Sequence, residues 1–297
     1  MSGKLAFVLG GGGARGALQV GALRALFEAE IFPDMLVGTS AGGVNCTFLA
    51  MRGCSLITVE QLALDWEKAA EAELLPSSYL WLTVRILFER RRTYPHNRMR
   101  DHFIAQGLSP QLRFKDLIGP ELILVAADLK NHKCIFYGND PDQFVLDGLC
   151  ATTALPPWVD PIEKDSHLLI DGGLLSVLPV EPAIQHGASE IIALDICDYR
   201  YIEESDHGIA AFLMHLNASI NQRHINLELA LAHNQGIPVH HIIMQSNEHI
   251  PIWDFGHTHE LIEVGYNITQ EKILNREIRT RKTKNPLFGF LRKKRKH

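Results

Sequence analysis

Cysteine is scarce in this sequence. The five cysteines among 297 residues, Cys46, Cys54, Cys134, Cys150 and Cys197, are irregularly spaced, with no C-x-x-C pair and no metal-ligand spacing. An odd, irregular set excludes a disulfide-framework miniprotein and points to a reducing compartment. Long apolar runs are missing as well. No segment approaches roughly 18 uncharged apolar residues, so no membrane-spanning helix is expected. The apolar stretch near the N-terminus, Leu5 to Leu9, is too short for a secretory signal, and glycines follow it at once. There is no internal repeat and no linker-like stretch within residues 1–275. These absences lead to the expectation of a cytoplasmic chain.

What remains is ordinary globular composition, 46% hydrophobic and 21% charged, which excludes wholesale disorder and collagen. The net charge of −5 hides a split. Residues 276–297 hold ten Lys/Arg and one acid, Glu277, a net of +9 that leaves −14 for the rest. An acidic body argues against nucleic acid as a partner. The division expected is a catalytic domain over 1–275 and a basic tail over 276–297.

Hydrophobic patterning alternates short strands with helices. Leu5–Leu9 reads as a buried strand, Ala14–Glu30 as a helix, Met35–Val37 as a strand and Ala41–Met51 as a helix. Thr58–Ala72 and Ser78–Arg91 carry further helical patterns. Glu121–Ala127 and Lys133–Tyr137 read as paired strands. Leu168–Ile170, Ile191–Leu194 and Val239–Met244 are further strands, interleaved with a helix at about Val180–His186 and a long helix or broken pair of helices over Ile209–Asn234. A last helix is expected over His257–Arg279. Strands alternating with helices imply an α/β fold with a mostly parallel sheet covered on its faces.

Three motifs stand where strands end. The loop Gly10-Gly11-Gly12-Gly13-Ala14-Arg15-Gly16 lies between a strand and a helix. Glycines without Cβ atoms expose successive N–H groups, and the helix N-terminus adds positive potential. Such a loop holds a phosphate or a catalytic oxyanion equally well, or is simply a tight turn. Gly11, Gly13 and Gly16 also satisfy G-x-G-x-x-G, with Asp34 following 18 residues after Gly16, so an NAD(P)-binding module is an alternative. Gly38-Thr39-Ser40-Ala41-Gly42 is G-x-S-x-G, again between strand and helix. There, small neighbours let a serine Oγ project from a strained turn, unless Ser40 merely caps the helix. Asp171 ends a buried strand and precedes Gly172-Gly173. A desolvated aspartate beside a serine can act as its general base without histidine; Asp-Gly is also a common turn former.

In this order, the four-glycine loop with its arginine, G-T-S-A-G and D-G-G resemble the patatin-like phospholipase family of lipid acyl hydrolases, in its bacterial form. Cys150-Ala151-Thr152-Thr153-Ala154-Leu155-Pro156-Pro157-Trp158-Val159-Asp160-Pro161 resembles the family's small-residue, proline-bearing segment before the acid. The likeness covers roughly residues 5–195. It implies a three-layer α/β/α sandwich and a Ser–Asp dyad that cleaves fatty acyl esters of phospholipids through an acyl-enzyme. A small-ester or thioester hydrolase with the same dyad is the neighbouring possibility. By position, Ser40 is the nucleophile, Asp171 the base, and the N–H groups of Gly11, Gly12 and Gly13 the oxyanion hole. Arg15, Gly38, Gly42, Gly172 and Gly173 would support them. No metal or organic cofactor is implied. One departure is the segment after D-G-G. The family commonly has an asparagine-rich stretch there, where this chain has Leu174-Leu175-Ser176-Val177-Leu178-Pro179.

Fifteen histidines raise the alternative of a Ser–Asp–His triad, with His240, His241, His257 or His259 as candidates, although none lies in a motif. The stretch Tyr79–Phe88 with Arg90-Arg91-Arg92 is either a lipid contact or a core helix. In the tail, Leu287-Phe288-Gly289-Phe290-Leu291 precedes the basic run Arg292–His297. That combination suits peripheral contact with an anionic inner membrane face. A plain disordered basic tail is the alternative.

Overall fold

In a computed structural model, the structure describes residues 3–71, 97–156, 158–200 and 209–278. The expected helix over Ser78–Arg91 and the apolar and basic stretches of the tail lie outside them. The strands are β1 (Lys4–Leu9), β2 (Met35–Thr39), β3 (Glu121–Asp128), β4 (Lys133–Tyr137), β5 (Ile162–Lys164), β6 (His167–Asp171), β7 (Ala188–Asp195) and β8 (Val239–Ile243). The described helices are α1 (Gly16–Glu28), α2 (Ala41–Arg52), α3 (Leu56–Glu71), α4 (Asn97–Ala105), α5 (Val145–Thr152), α6 (Val180–Gln185), α7 (Ile209–Asn234) and α8 (Thr258–Leu274).

All eight strands join one sheet in the order β5-β6-β3-β2-β1-β7-β8, with β4 also on β3. From β3 through β2, β1 and β7 to β8 the pairing is parallel; β4 and β6 run antiparallel to β3. Each buried strand sends alternate side chains to two separate cores. On β1, Leu5, Phe7 and Leu9 join one core, and Ala6 and Val8 the other. On β3, Leu122, Leu124 and Ala126 face the first, while Ile123 and Val125 face the second. The first core holds side chains of α1 to α5 and α8, the second those of α6 and α7. The result is the expected three-layer α/β/α sandwich, with strands apolar on both faces because helices cover both.

Helix α3 begins two residues earlier than expected, at Leu56, and α1 and α8 differ for reasons the backbone shows. Gly13–Arg15 form a separate single turn of 3-10 helix, so α1 begins at Gly16. It ends at Glu28 because Glu30 turns left-handed (φ 61°) and the N–H of Ile31 reaches back to Leu26. In the same way Arg276 (φ 57°) ends α8 at Leu274, five residues short of Arg279. Helices α4 and α5 and the edge strand β5 are only 9, 8 and 3 residues long, too short to be read from sequence.

The chain leaves β1 to build β2 and β3 on one side and β7 and β8 on the other. That reversal is where open α/β sheets place their sites, beyond the carboxyl ends of the strands. The glycine loop follows β1 and Ser40 follows β2, so both stand at this point.

Candidate active site

Strand pairing brings Ser40 and Asp171 together. Thr39 pairs with Val125 on β3, and Asp171 pairs with the next residue, Ala126. Val125 and Ala126 each also pair with β4, so β2 and β6 must share the opposite edge of β3. Their carboxyl ends therefore meet head-on, and the residues at those ends face each other.

Ser40 adopts φ 54°, ψ −124°, a conformation that L-residues rarely occupy. Strain of this kind persists where the surroundings over-determine it. They do so here. The Ser40 N–H donates to Thr152 Oγ1 at 3.0 Å, and the Thr152 hydroxyl donates to the Val125 carbonyl. The Thr39 hydroxyl donates to the Ser176 carbonyl at 3.0 Å. Small residues let the parts close up. A Cβ on Gly42 would come within 2.1 Å of the Leu9 carbonyl oxygen, and one on Gly38 within 2.7 Å of the Gly42 carbonyl oxygen. The first turn of α2 thus rests directly on β1, with its N-terminal N–H groups at Ser40.

Asp171 is 3% exposed. Its Oδ1 accepts the Gly173 N–H at 2.7 Å, while Oδ2 is buried with no hydrogen-bond partner among the described residues. Burial raises its carboxyl to about 6; the Ser40 hydroxyl and the Gly173 N–H favour the charged form against that trend. The Ser40 hydroxyl is thus close enough to act on the carboxylate, yet the two do not close a hydrogen bond of normal geometry. An unsatisfied oxygen of raised basicity beside a serine is what a direct general base requires.

The glycine loop borders Ser40: a Cβ on Gly11 would lie 3.2 Å from the Ser40 Cβ. Its amides are not equivalent. Gly10 N–H donates to Leu194 and Gly11 N–H to the Val177 carbonyl at 2.8 Å. The N–H groups of Gly12 and Gly13 have no such partner among the described residues. Of the three amides named from sequence, Gly11's is thus occupied. A buried polar chain fixes the loop. Gln19 Nε2 donates to the Gly10 carbonyl (2.8 Å), Asn45 Nδ2 to Gln19 Oε1 (2.9 Å), and Trp66 Nε1 to Asn45 Oδ1 (2.8 Å). Sequence reasoning missed Gln19, Asn45 and Thr152. For Gln19 and Asn45 the signal was a polar side chain inside an otherwise apolar or small-residue helix, which is costly to bury unless bonded; Thr152, the last residue of α5, carries no such signal.

Arg15 is folded in behind the loop, with Nη1 3.9 Å from Asp198 Oδ2. Burial lowers its pKa, and Cys197, Asp198 and Asp195 act in the other direction. It is therefore not a solvated first-turn residue. Gly172 packs its Cα side against the Val125 carbonyl, where a Cβ would come within 2.2 Å.

Ser40 opens on a cavity of about 130 Å³ between α2, α3, α4 and α5. Its walls are largely apolar, including Val44, Phe48, Met51, Leu62, Trp66, Ala69, Met99, Phe103, Leu149, Leu155 and Phe255. Asp65 and His102 also line it. The triad candidates lie elsewhere. His240 bonds Glu190, His241 bonds Asp195, and His257 pairs with Glu260; neither they nor His259 line this cavity. No hydrogen bond joins His102 to Ser40. The dinucleotide alternative also loses its acid. Asp34 precedes β2, at the opposite end of the parallel sheet from the glycine loop, and its Oδ2 accepts the Leu5 N–H at 2.9 Å.

The patatin-like phospholipase family model matches residues 7–184. This chain belongs to that family. Mouse patatin-like phospholipase domain-containing protein 6 is 30% identical over 205 residues, 69% of this chain and 14% of its own length. The fruit-fly neuropathy target esterase sws is 31% identical over 195 residues, 65% of this chain and 13% of its own. The chain thus spans about one seventh of the length of these relatives. Among solved structures, VipD from Legionella pneumophila aligns over 91% of this chain and 66% of its own at 12% identity, TM-score 0.45. ExoU from Pseudomonas aeruginosa, in complex with SpcU, aligns over 92% and 51% at 16% identity, TM-score 0.44. No described helix is long and apolar enough to cross a membrane.

Proposed function

We propose that this protein is a serine lipid acyl hydrolase, of phospholipase A or lysophospholipase type, working through Ser40 and Asp171. The observation that carries the reading is the pairing of a strained serine with a buried carboxylate, one oxygen of which is unpartnered, at an apolar cavity. Family membership supports the same chemistry.

Asp171 takes the proton of Ser40 as Oγ attacks the ester carbonyl carbon. The carbonyl oxygen becomes an oxyanion, held by the N–H groups of Gly12 and Gly13 and by the positive end of α2. Gly11 contributes by shape, because its own N–H is bonded to Val177. When the intermediate collapses, the ester C–O bond breaks and the leaving alcohol or lysolipid carries off the proton held by Asp171. Water then attacks the acyl-enzyme, giving a proton to Asp171. Collapse of the second intermediate returns that proton to Ser40 and frees the fatty acid. The acyl chain occupies the cavity along α2 and α5, where apolar walls exclude water. Raising Asp171 to about 6 makes it a stronger base than an ordinary carboxylate while leaving it ionised at neutral pH.

A fluorophosphonate probe tests this reading. It is expected to modify Ser40 of the wild type, and to modify Asp171→Asn far more slowly. A wild type that stays unmodified at Ser40 overturns it.

A further inference from the structure

We propose that Glu228, 52 residues beyond Ser176 on α7, is a positioning residue for the Ser40 site, holding the strap 176–181 that ties three site segments together. This rests on the hydrolase reading above. Glu228 is buried, and both of its oxygens are engaged: Oε1 accepts the Ser176 hydroxyl at 2.6 Å and Oε2 the Glu181 N–H at 2.8 Å. The second bond also caps the first turn of α6, fixing where the strap ends.

From this anchor the strap reaches the site through backbone groups. The Ser176 carbonyl accepts the Thr39 hydroxyl, immediately before the nucleophile. The Val177 carbonyl accepts the Gly11 N–H at 2.8 Å, which sets the loop carrying Gly12 and Gly13. The Ser176 N–H donates to the Gly172 carbonyl at 2.9 Å, directly after the base. One carboxylate therefore fixes the segment on which nucleophile, base and oxyanion loop all lean. This also accounts for the unusual stretch after D-G-G. Ser176 and the carbonyls of Ser176 and Val177 do the bonding, so asparagine side chains are not required there, and Glu228 supplies the acceptor that holds the serine.

The anchor is sensitive to protonation. Burial raises the Glu228 carboxyl to about 7, with the Ser176 hydroxyl and the Glu181 N–H opposing. The other titratable groups facing it are Glu181 on α6 and Cys134 on β4; His224 lies one turn earlier on its own helix. Protonation removes an acceptor, so the strap loosens as pH falls through about 7.

Glu228→Gln and Ser176→Ala in the full chain test this, measured by the rate of fluorophosphonate labelling at Ser40, kcat and KM on a soluble fatty acyl ester, and thermal midpoint. A misplacement near 1 Å costs up to about a hundredfold in rate. Glu228→Gln is expected to lower labelling and kcat by about tenfold or more with KM little changed, and Ser176→Ala to do so less severely. The acidic limb of kcat is expected to involve two protons in the wild type and one in Glu228→Gln. If Glu228→Gln does not fold, Ser176→Ala decides. Variants that match the wild type in labelling rate and in the shape of the limb overturn the positioning role and leave the hydrolase reading standing. A wild type that does not label at Ser40 removes both.

Discussion

Replacing Asp171 with asparagine has opposite consequences for activity and for the pH dependence of stability, and both follow from burial. The carboxyl rises from 3.8 to about 6 on folding. A shift of that size is worth about 3 kcal/mol of differential proton binding. The folded state binds this proton more tightly than the unfolded chain. The contribution to stability is therefore fully present below pH 3.8 and is lost as pH rises through about 6. Of the total, about 2 kcal/mol falls between pH 4.5 and 7.5. Asparagine cannot ionise, so its stability lacks this component. It keeps the bond from Gly173 but brings a buried N–H2 toward the site of the unpartnered Oδ2, a fixed cost of about 1–3 kcal/mol. That cost offsets the baseline without changing the pH slope. The assay is thermal unfolding of wild type and variant at pH 4.5, 6 and 7.5. The midpoint of Asp171→Asn is expected to rise relative to wild type by roughly 3 °C across that range. In parallel, kcat/KM of the wild type is expected to fall as pH drops through about 7 and then about 6, and the variant to be inactive throughout. A midpoint difference that stays constant with pH, or a wild-type rate that is flat from pH 5 to 8, refutes the reasoning.

Three further expectations follow. Gly42→Ala places a methyl group 2.1 Å from the Leu9 carbonyl oxygen, a contact that cannot form without moving α2, so it is expected to lose activity and about 1–3 kcal/mol of stability or more by urea titration. Val44→Trp narrows the apolar cavity one turn into α2. It is expected to shift the preference in a series of acyl esters toward shorter chains while leaving probe labelling of Ser40 intact; an unchanged preference removes this cavity as the acyl site. The segment 279–297 holds nine Lys/Arg and no acid. Deleting it is expected to reduce co-sedimentation with anionic vesicles, more so at low salt, and equal binding by the truncated chain removes the tail from membrane contact.

Much of the fold was legible because its physics is local. Strands such as Leu5–Leu9 and Glu121–Ala127 are apolar throughout, as strands covered on both faces must be, and glycines punctuate their ends. The placement of Ser40 and Asp171 at strand termini was legible for the same reason. What the sequence could not convey was set by register across long separations. The head-on meeting of β2 and β6 depends on which edge of β3 each occupies. Whether a loop amide is free depends on a carbonyl 166 residues away, and Gly11 proved to be bonded to Val177. Thr152, which holds the nucleophile's N–H, is the last residue of a helix only eight residues long, and its partners lie just after β2 and on β3. Nothing in the sequence singles out Glu228, because its partner Ser176 is on another element. The ends of α1 and α8 were misjudged because Glu30 and Arg276 adopt left-handed conformations that neither residue type announces.

The most direct test of the central claim is the release of free fatty acid from phospholipid vesicles by the purified full-length chain and by Ser40→Ala, run side by side and resolved by lipid product analysis. The account predicts fatty acid and lysolipid from the wild type and none above the blank from a folded Ser40→Ala. Equal release by both, or none from the wild type on phospholipid and lysophospholipid alike, contradicts it.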